Sequence, residues 1–136
     1  MQKIFTTKYN KTTLDIWLLV LRVSIGILML THAIPKFNLL FSGEEIAFLD
    51  PLGLGQVTSL VLVVFAEFLC SILLIVGLGT RLSSIPLIFT MFIAVFIFHK
   101  DHAFSAKELG LVYMLGYFTL LVLGGGRFSI DKLISK

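Results

Sequence analysis

The chain has 136 residues, of which 57% are hydrophobic and only 14% are charged, and its formal net charge is +3. Soluble domains contain about 45–50% apolar and about 25% charged residues, so this composition argues against a soluble domain and favours a membrane protein. The sequence has no basic run and no basic–aromatic module beside this small positive charge, so we expect no nucleic-acid partner.

Four apolar runs, separated by short polar stretches, predict four transmembrane helices. We place them at residues 14–34, 57–79, 83–99 and 108–124, with a long outer loop at residues 35–56. A hydrocarbon core of ~30 Å needs about 17–25 helical residues, and the runs are apolar nearly all round, unlike the helices of a soluble bundle. The predicted fold is therefore an all-α integral membrane four-helix bundle, with residues 1–136 as one domain in contact with the lipid bilayer.

The first run is longer than the apolar region of a cleaved signal peptide, which spans about 7–15 residues, so we expect it to stay as an anchor. The distribution of positive residues sets the orientation of such a protein, because positive loops stay in the cytoplasm. Most of them flank the termini or the second turn: Lys3, Lys8, Lys11, Arg81, Arg127, Lys132 and Lys136. Only Lys36, Lys100 and Lys107 lie on the other side, so both termini are predicted to be cytoplasmic.

Two charged residues, Arg22 and Glu67, fall deep inside the apolar runs. Arg22 lies about 12 Å along the first predicted helix and Glu67 about 15 Å along the second from the other side, which puts both near the midplane of the bilayer. A lone charge at that depth costs at least ~2.5–3.5 kcal/mol. We therefore expect Arg22 and Glu67 to form a buried ion pair, with Tyr117 of the fourth helix near the same depth. The pair is either architectural or a functional site with Glu67 as proton acceptor, because arginine does not titrate.

A second polar group is predicted at the outer helix ends: His32, Lys36, His99, His102 and Glu108. Imidazole and ammonium donors suit a quinone carbonyl, and a histidine or Glu108 can carry protons. Together with Tyr117, these residues are the candidate ligand-binding and proton-transfer set. The outer loop either lies in the membrane interface or folds back over this mouth.

The sequence offers little for a resident metal or a thiol centre. His99 and His102 have no further ligand cluster, so we predict no metal site, although a haem between His32 and His99 stays open. Cys70 is the only cysteine, which excludes an intrachain disulfide and a C-x-x-C redox pair. We expect no covalent cofactor, so any electrons must come from a bound cofactor, a quinone or a partner.

Three stretches resemble the DoxX family of small bacterial membrane proteins: RVSIGILMLTHAIPK, AEFLCSILLIVGLGTR and ELGLVYMLGYFTLLVLGGGRFSID. Together they extend the resemblance over residues 14–132. The resemblance places this chain's residues at the family's polar positions: Arg22, His32, Lys36, Glu67, Arg81, Glu108 and Asp131. Ala33 departs from the pattern, because the family usually has glycine after the histidine, and this puts a close ligand approach at that point in doubt.

The resemblance implies a four-helix protein of the bacterial cytoplasmic (inner) membrane. The family takes its name from a subunit of thiosulfate:quinone oxidoreductase, and related members are associated with membrane oxidoreductase assemblies that handle thiol and oxidative stress. We therefore expect a quinone-interacting subunit acting with a soluble or membrane oxidoreductase partner. The alternative is a non-enzymatic scaffold or assembly protein for redox or stress-response partners. A second copy of this chain is a further candidate partner.

Overall fold

The computed structural model describes residues 3–135, and within this range the chain is helical with no β-strand. Four long helices are joined by three connections, and a short helix follows near the C-terminus. They are α1 (Lys11–Leu40), α2 (Gln56–Val76), α3 (Thr80–Phe98), α4 (Phe104–Leu123) and α5 (Ile130–Ile134). The first four are long and apolar enough to cross a membrane, so the protein is a multi-pass membrane protein with the predicted all-α architecture.

Helix α1 is longer at both ends than predicted. It begins after Asn10, whose side chain accepts a hydrogen bond from the backbone N–H of Thr13 at 3.2 Å and so caps the helix. It continues through Pro35 to Leu40, so the prediction that it ends at residue 34 is wrong. Proline is tolerated in membrane helices because neighbouring groups satisfy the freed backbone. The outer loop therefore shortens to residues 41–55, and Lys36 belongs to the bundle.

Helices α2 and α3 are antiparallel neighbours, as their short connection predicts. Gly77 and Gly79 adopt left-handed backbone angles, with φ of 78° and 59°, and these angles end one helix and start the next. Such angles are accessible to glycine at little cost. Helix α1 packs closely on α2 at Gly26. A Cβ atom at this position would lie only 3.1 Å from the carbonyl oxygen of Ser71.

Two π-helical segments interrupt the regular helices, and the sequence did not predict either. Phe65–Leu69 lies in the middle of α2 and contains Glu67, whereas Ala94–Phe98 forms the end of α3. Isolated π-segments in α-helices occur frequently at functional sites because they redirect side chains. The second segment lies at the end of the bundle that carries the loop 41–55, which we call the loop end.

The core of the bundle is filled by side chains such as Leu18, Met29, Leu74, Leu87 and Tyr117, each at most 2% exposed. Large apolar side chains elsewhere point outward along the spanning helices, for example Trp17, Leu115 and Phe118. A soluble protein rarely exposes so much contiguous apolar surface. This outward face is suited to lipid.

Candidate functional site

The only salt bridge in the described part of the chain joins Lys36 of α1 to Glu67 of α2. The Lys36 Nζ atom donates to Oε2 of Glu67 at 2.6 Å, and the side chains are 30% and 4% exposed, respectively. Because helical side chains lean toward the helix N-terminus, Lys36 reaches from the loop end toward the interior. A neighbouring stack of Phe37 on Phe68, with ring centroids 4.5 Å apart, fixes the register of the two helices around the pair.

The predicted ion pair between Arg22 and Glu67 is wrong. Arg22 is 1% exposed, but its Nη1 donates to the carbonyl oxygen of Gly125 at 2.6 Å and its Nη2 to that of Phe128 at 2.8 Å. The guanidinium lies against Gly77, at the end of α2, whereas Glu67 precedes Gly77 by about 15 Å of helix. The two charges therefore lie at different depths.

The predicted pairing failed because the sequence placed the end of α1 that faces the outer loop too early in the chain. Pro35 and Lys36 mark a helix end in the sequence, yet α1 continues to Leu40 and its 30 residues extend about 45 Å, well beyond a hydrocarbon core of ~30 Å. The same continuation brings Lys36 to Glu67. Glu67 thus has a cationic partner, as expected, but a different and partly exposed one.

A largely apolar cavity of about 310 Å³ lies between α2, α3 and the loop 41–55. Its walls include Phe48, Leu52, Leu62, Phe89 and Phe98, and the polar side chains that line it are Lys36, Ser59, Glu67 and Thr90. The volume lies within the range of about 300–1,000 Å³ that is typical of small-molecule sites. The cavity therefore suits a molecule with a large apolar part and a polar group placed at the ion pair.

The loop 41–55 covers this apolar cavity and does not merely connect two helices. Asp50 orders it by accepting hydrogen bonds from the backbone N–H of Leu54 at 2.8 Å, that of Gly55 at 2.9 Å and the hydroxyl of Ser59 at 2.8 Å. The hydrogen bond from Ser59, helped by those from the backbone, lowers the pKa of Asp50. Of the two predicted arrangements, the loop folds back onto the bundle, but its residues line this apolar cavity and none of them lines the cavity that holds His32 and His99.

A second cavity, of about 210 Å³, lies on the other side of the ion pair, between α1, α3 and α4. Lys36 and Glu67 line it as well, together with His32, His99 and Tyr113. Ala94, the first residue of the π-segment in α3, also borders both cavities. The ion pair therefore separates a mainly apolar cavity from one that is lined by imidazole and phenol groups, which we call the polar cavity.

Comparison with known proteins places the chain in a family. The model of the DoxX family matches residues 17–100, which include the greater part of α1 and all of α2 and α3. The chain belongs to the DoxX family. No curated protein and no solved structure matches it.

Within this DoxX-family bundle, the two histidines at the polar cavity have different surroundings. His32 packs edge-on against Tyr113, with ring centroids 6.0 Å apart. His99 lies with its Nδ1 atom 2.9 Å from Nδ1 of His102, which is exposed to solvent. The structure thus brings together His32, Lys36, Glu67 and His99, while His102 touches the site only through His99.

Tyr117 and Glu108, both predicted site residues, do not line either cavity. Tyr117 is fully buried and stacks on Tyr113 at 6.0 Å, and its hydroxyl has no hydrogen-bond partner among residues 3–135. Glu108 is exposed and lies in the second turn of α4, which begins at Phe104, four residues before the predicted start. Tyr113 was not selected from the sequence, although it shares a helical face with Tyr117.

Two further expectations from the sequence concern Ala33 and the absence of a metal site. Ala33 is fully buried in α1 and lines neither cavity, so the departure from the family's glycine lies away from the site. Within residues 3–135, no three histidine, cysteine, aspartate or glutamate side chains lie close enough together to hold a metal ion. Cys70 is a free, buried thiol.

Other charged side chains of the DoxX-family chain lie at the opposite end of the bundle, where the termini are, and hold the C-terminal segment in place. Asp131 accepts hydrogen bonds from the backbone N–H groups of Gly79 at 2.6 Å and Thr80 at 2.8 Å, which caps α3. The side chain of Asp15 accepts a hydrogen bond from the backbone N–H of Arg127 at 3.1 Å. Ser129 caps α5 by accepting from the backbone N–H of Lys132. With Arg22, these contacts form what we call the terminal clamp.

Proposed function

We propose that this DoxX-family protein is a quinone-interacting subunit of a membrane oxidoreductase, with the apolar cavity as the quinone site. The observation that carries the proposal is the position of the Lys36–Glu67 pair at the inner wall of a membrane-level apolar cavity. A quinone combines an apolar ring and tail with two carbonyl oxygens. Apolar walls with a few placed polar groups are what such a ligand requires.

Lys36 is the group best placed to bind a quinone carbonyl. Its ammonium has three donor hydrogens, of which the hydrogen bond to Glu67 uses one. Glu67 keeps the ammonium charged and in place, and a charge-assisted hydrogen bond to an oxygen in a dry site is stronger than one between neutral groups. Lys36 therefore orients the polar end of the ligand, while Phe89 and Leu62 contact its apolar part.

The proton chemistry follows from the same pair. Reduction of a quinone to a quinol adds two electrons and two protons. The electrons come from a reduced flavin (FlH2) of a partner oxidoreductase, which is oxidised to Fl and releases two protons to water, where they neutralise the hydroxide that the proton transfers from water leave behind. Lys36 transfers one proton to the near carbonyl oxygen, and water supplies the other proton to the far one. The carboxylate of Glu67 then accepts a proton from water and passes it to the neutral amine of Lys36. In this scheme Glu67 is the proton acceptor.

The proposal is tested by binding of a short-chain ubiquinone analogue to the purified protein in lipid nanodiscs. We expect saturable binding that weakens about tenfold or more in Lys36→Met, since a charge-assisted hydrogen bond contributes ~1.5–3 kcal/mol. Val63→Phe, which narrows the apolar cavity, should weaken binding similarly. Its matched control is Val61→Phe on the same helix, which faces outward and should bind as the wild type does. Absence of saturable binding would favour the alternative, a non-enzymatic scaffold.

The proposed location is the bacterial cytoplasmic membrane, with both termini in the cytoplasm and the loop end outside. The positive residues that flank the termini, among them Lys8, Lys11 and Arg127, support this orientation. We expect an impermeant maleimide to label a cysteine introduced at Ser42, in the loop, from outside intact cells. Labelling of that position only after the membrane is opened would reverse the orientation.

A further inference from the structure

The Lys36–Glu67 pair borders two cavities whose walls differ in chemistry. The apolar cavity contributes phenylalanine, leucine and proline side chains, whereas the polar cavity contributes His32, His99 and Tyr113. We infer that the polar cavity is a water-filled passage through which the Lys36–Glu67 pair exchanges protons with the aqueous phase at the loop end. The inference rests on the proposed function for its purpose, but the passage itself can be tested without a quinone.

The size and the lining of the polar cavity suit water. A buried water needs at least ~10–15 Å³ and two to four polar partners, and the cavity offers about 210 Å³. Imidazole, phenol, ammonium and carboxylate groups all face it, so waters inside it have donors and acceptors on several sides. The apolar cavity, of about 310 Å³, has four polar side chains on walls that are otherwise apolar. Water is therefore expected on one side of the pair and an apolar ligand on the other.

The outer end of the passage is marked by the two histidines of α3 and its following turn. His99 lines the cavity, and its Nδ1 atom lies 2.9 Å from Nδ1 of the exposed His102. Because one nitrogen must donate and the other accept, the contact holds one shared proton. An imidazole that takes a proton on one nitrogen can release one from the other, which makes His99 a link between solvent and the cavity.

The two side chains of the ion pair also differ in their exposure. Glu67 is 4% exposed, whereas Lys36 is 30% exposed and lies nearer the loop end. A group that takes up protons during turnover needs a path to water that does not open the quinone site. Two cavities that share only the ion pair and Ala94 provide that separation.

Cysteine accessibility tests the passage directly. In a Cys70→Ala background, Val95→Cys places a thiol at a residue that is 1% exposed and lines only the polar cavity. Val63→Cys is the matched variant, since it lines only the apolar cavity. A methanethiosulfonate carrying a quaternary ammonium should modify Val95→Cys about tenfold faster or more than Val63→Cys, because a charged reagent is excluded from apolar surroundings.

A further variant and a core control complete the accessibility test. Met91→Cys, also on the polar cavity, serves if Val95→Cys does not fold. Val64→Cys, buried and on neither cavity, gives the background rate. Modification of both polar-cavity variants at that background rate would overturn the inference and leave the quinone site untouched. Rapid modification without any quinone binding would instead uphold the passage and reject the proposed function.

The role of His99 in proton exchange has its own signature. If quinol formation depends on the passage, His99→Ala slows it about tenfold or more, in the range that general acid–base groups contribute, without changing the affinity for the ubiquinone analogue. Added imidazole should restore much of the lost rate, because a small base can enter the space that the side chain vacates. A variant whose rate is unchanged, or is lost without rescue by imidazole, would contradict proton transfer through His99.

Discussion

The terminal clamp and the Lys36–Glu67 pair both bury charge in an apolar bundle, but they do so in different ways. Arg22 is enclosed and donates to two backbone carbonyls, and neither cavity reaches it. Glu67 is almost as deeply buried, yet cavities lie on both sides of its ion pair. A buried charge whose hydrogen bonds end on backbone holds the fold together. A buried charge beside open space is available to a ligand.

The largest expected effect is the loss of the guanidinium from the terminal clamp. Arg22→Met leaves the carbonyl groups of Gly125 and Phe128 without their donor, and we expect it to lower the free energy of unfolding by about 3–5 kcal/mol, since each hydrogen bond to a charged group contributes ~1.5–3 kcal/mol. Thermal unfolding in detergent measures the change. Arg22→Lys should recover only part of it, because one ammonium cannot match the planar fork. Full stability of Arg22→Met would remove the structural role assigned to this residue.

The sequence predicted the number, type and approximate positions of the four helices because apolar runs of membrane length are a strong signal. It also identified Arg22 and Glu67 as buried. It did not give their partners, since these depend on register between helices, and one misplaced end at Pro35 moves Lys36 from the bundle into a loop. The π-segments around Glu67 and Ala94 have no signature in a single sequence, so the shape of the site was not predictable.

A smaller effect is expected at the helix cap of the same clamp. Burial raises the pKa of Asp131, but the hydrogen bonds from Thr80 and Gly79 and the charge of Arg22 outweigh it, so the net pKa is lowered. Since the folded pKa lies below the unfolded value, this contribution is present above pH ~4 and is lost as the pH falls through the folded pKa. Asp131→Asn should cost about 1 kcal/mol at pH 7, as losses of helix caps do. Its melting temperature should also depend less on pH below ~4.

Glu67→Gln sharpens the contrast between the two regions. Because Lys36 is partly exposed and can turn toward water, we expect a stability cost of about 1 kcal/mol or less, in the range of exposed ion pairs. Quinone-linked activity should nevertheless be lost, since the carboxylate that takes up protons is gone. Thermal unfolding and quinol formation are measured on the same preparation. A stability loss as large as that of Arg22→Met would show that Glu67 is architectural.

The smallest effect is expected at Glu108. Its side chain is exposed and lines neither cavity, so Glu108→Gln should change stability by less than ~0.5 kcal/mol and leave the affinity for the ubiquinone analogue unchanged. Isothermal titration and thermal unfolding both measure this. A clear loss of affinity would place α4 at the ligand and would require a site different from the apolar cavity.

Photo-cross-linking of a quinone tests the central assignment most directly. An azido derivative of the short-chain ubiquinone analogue, activated in nanodiscs and followed by peptide mapping, should label the residues around Leu62 to Glu67 in α2 and Phe89 to Ile93 in α3. Excess unmodified analogue should suppress this labelling, and Lys36→Met should reduce it. Labelling confined to the lipid-facing side of α4, or labelling that excess analogue does not suppress, would contradict a quinone site at the Lys36–Glu67 pair.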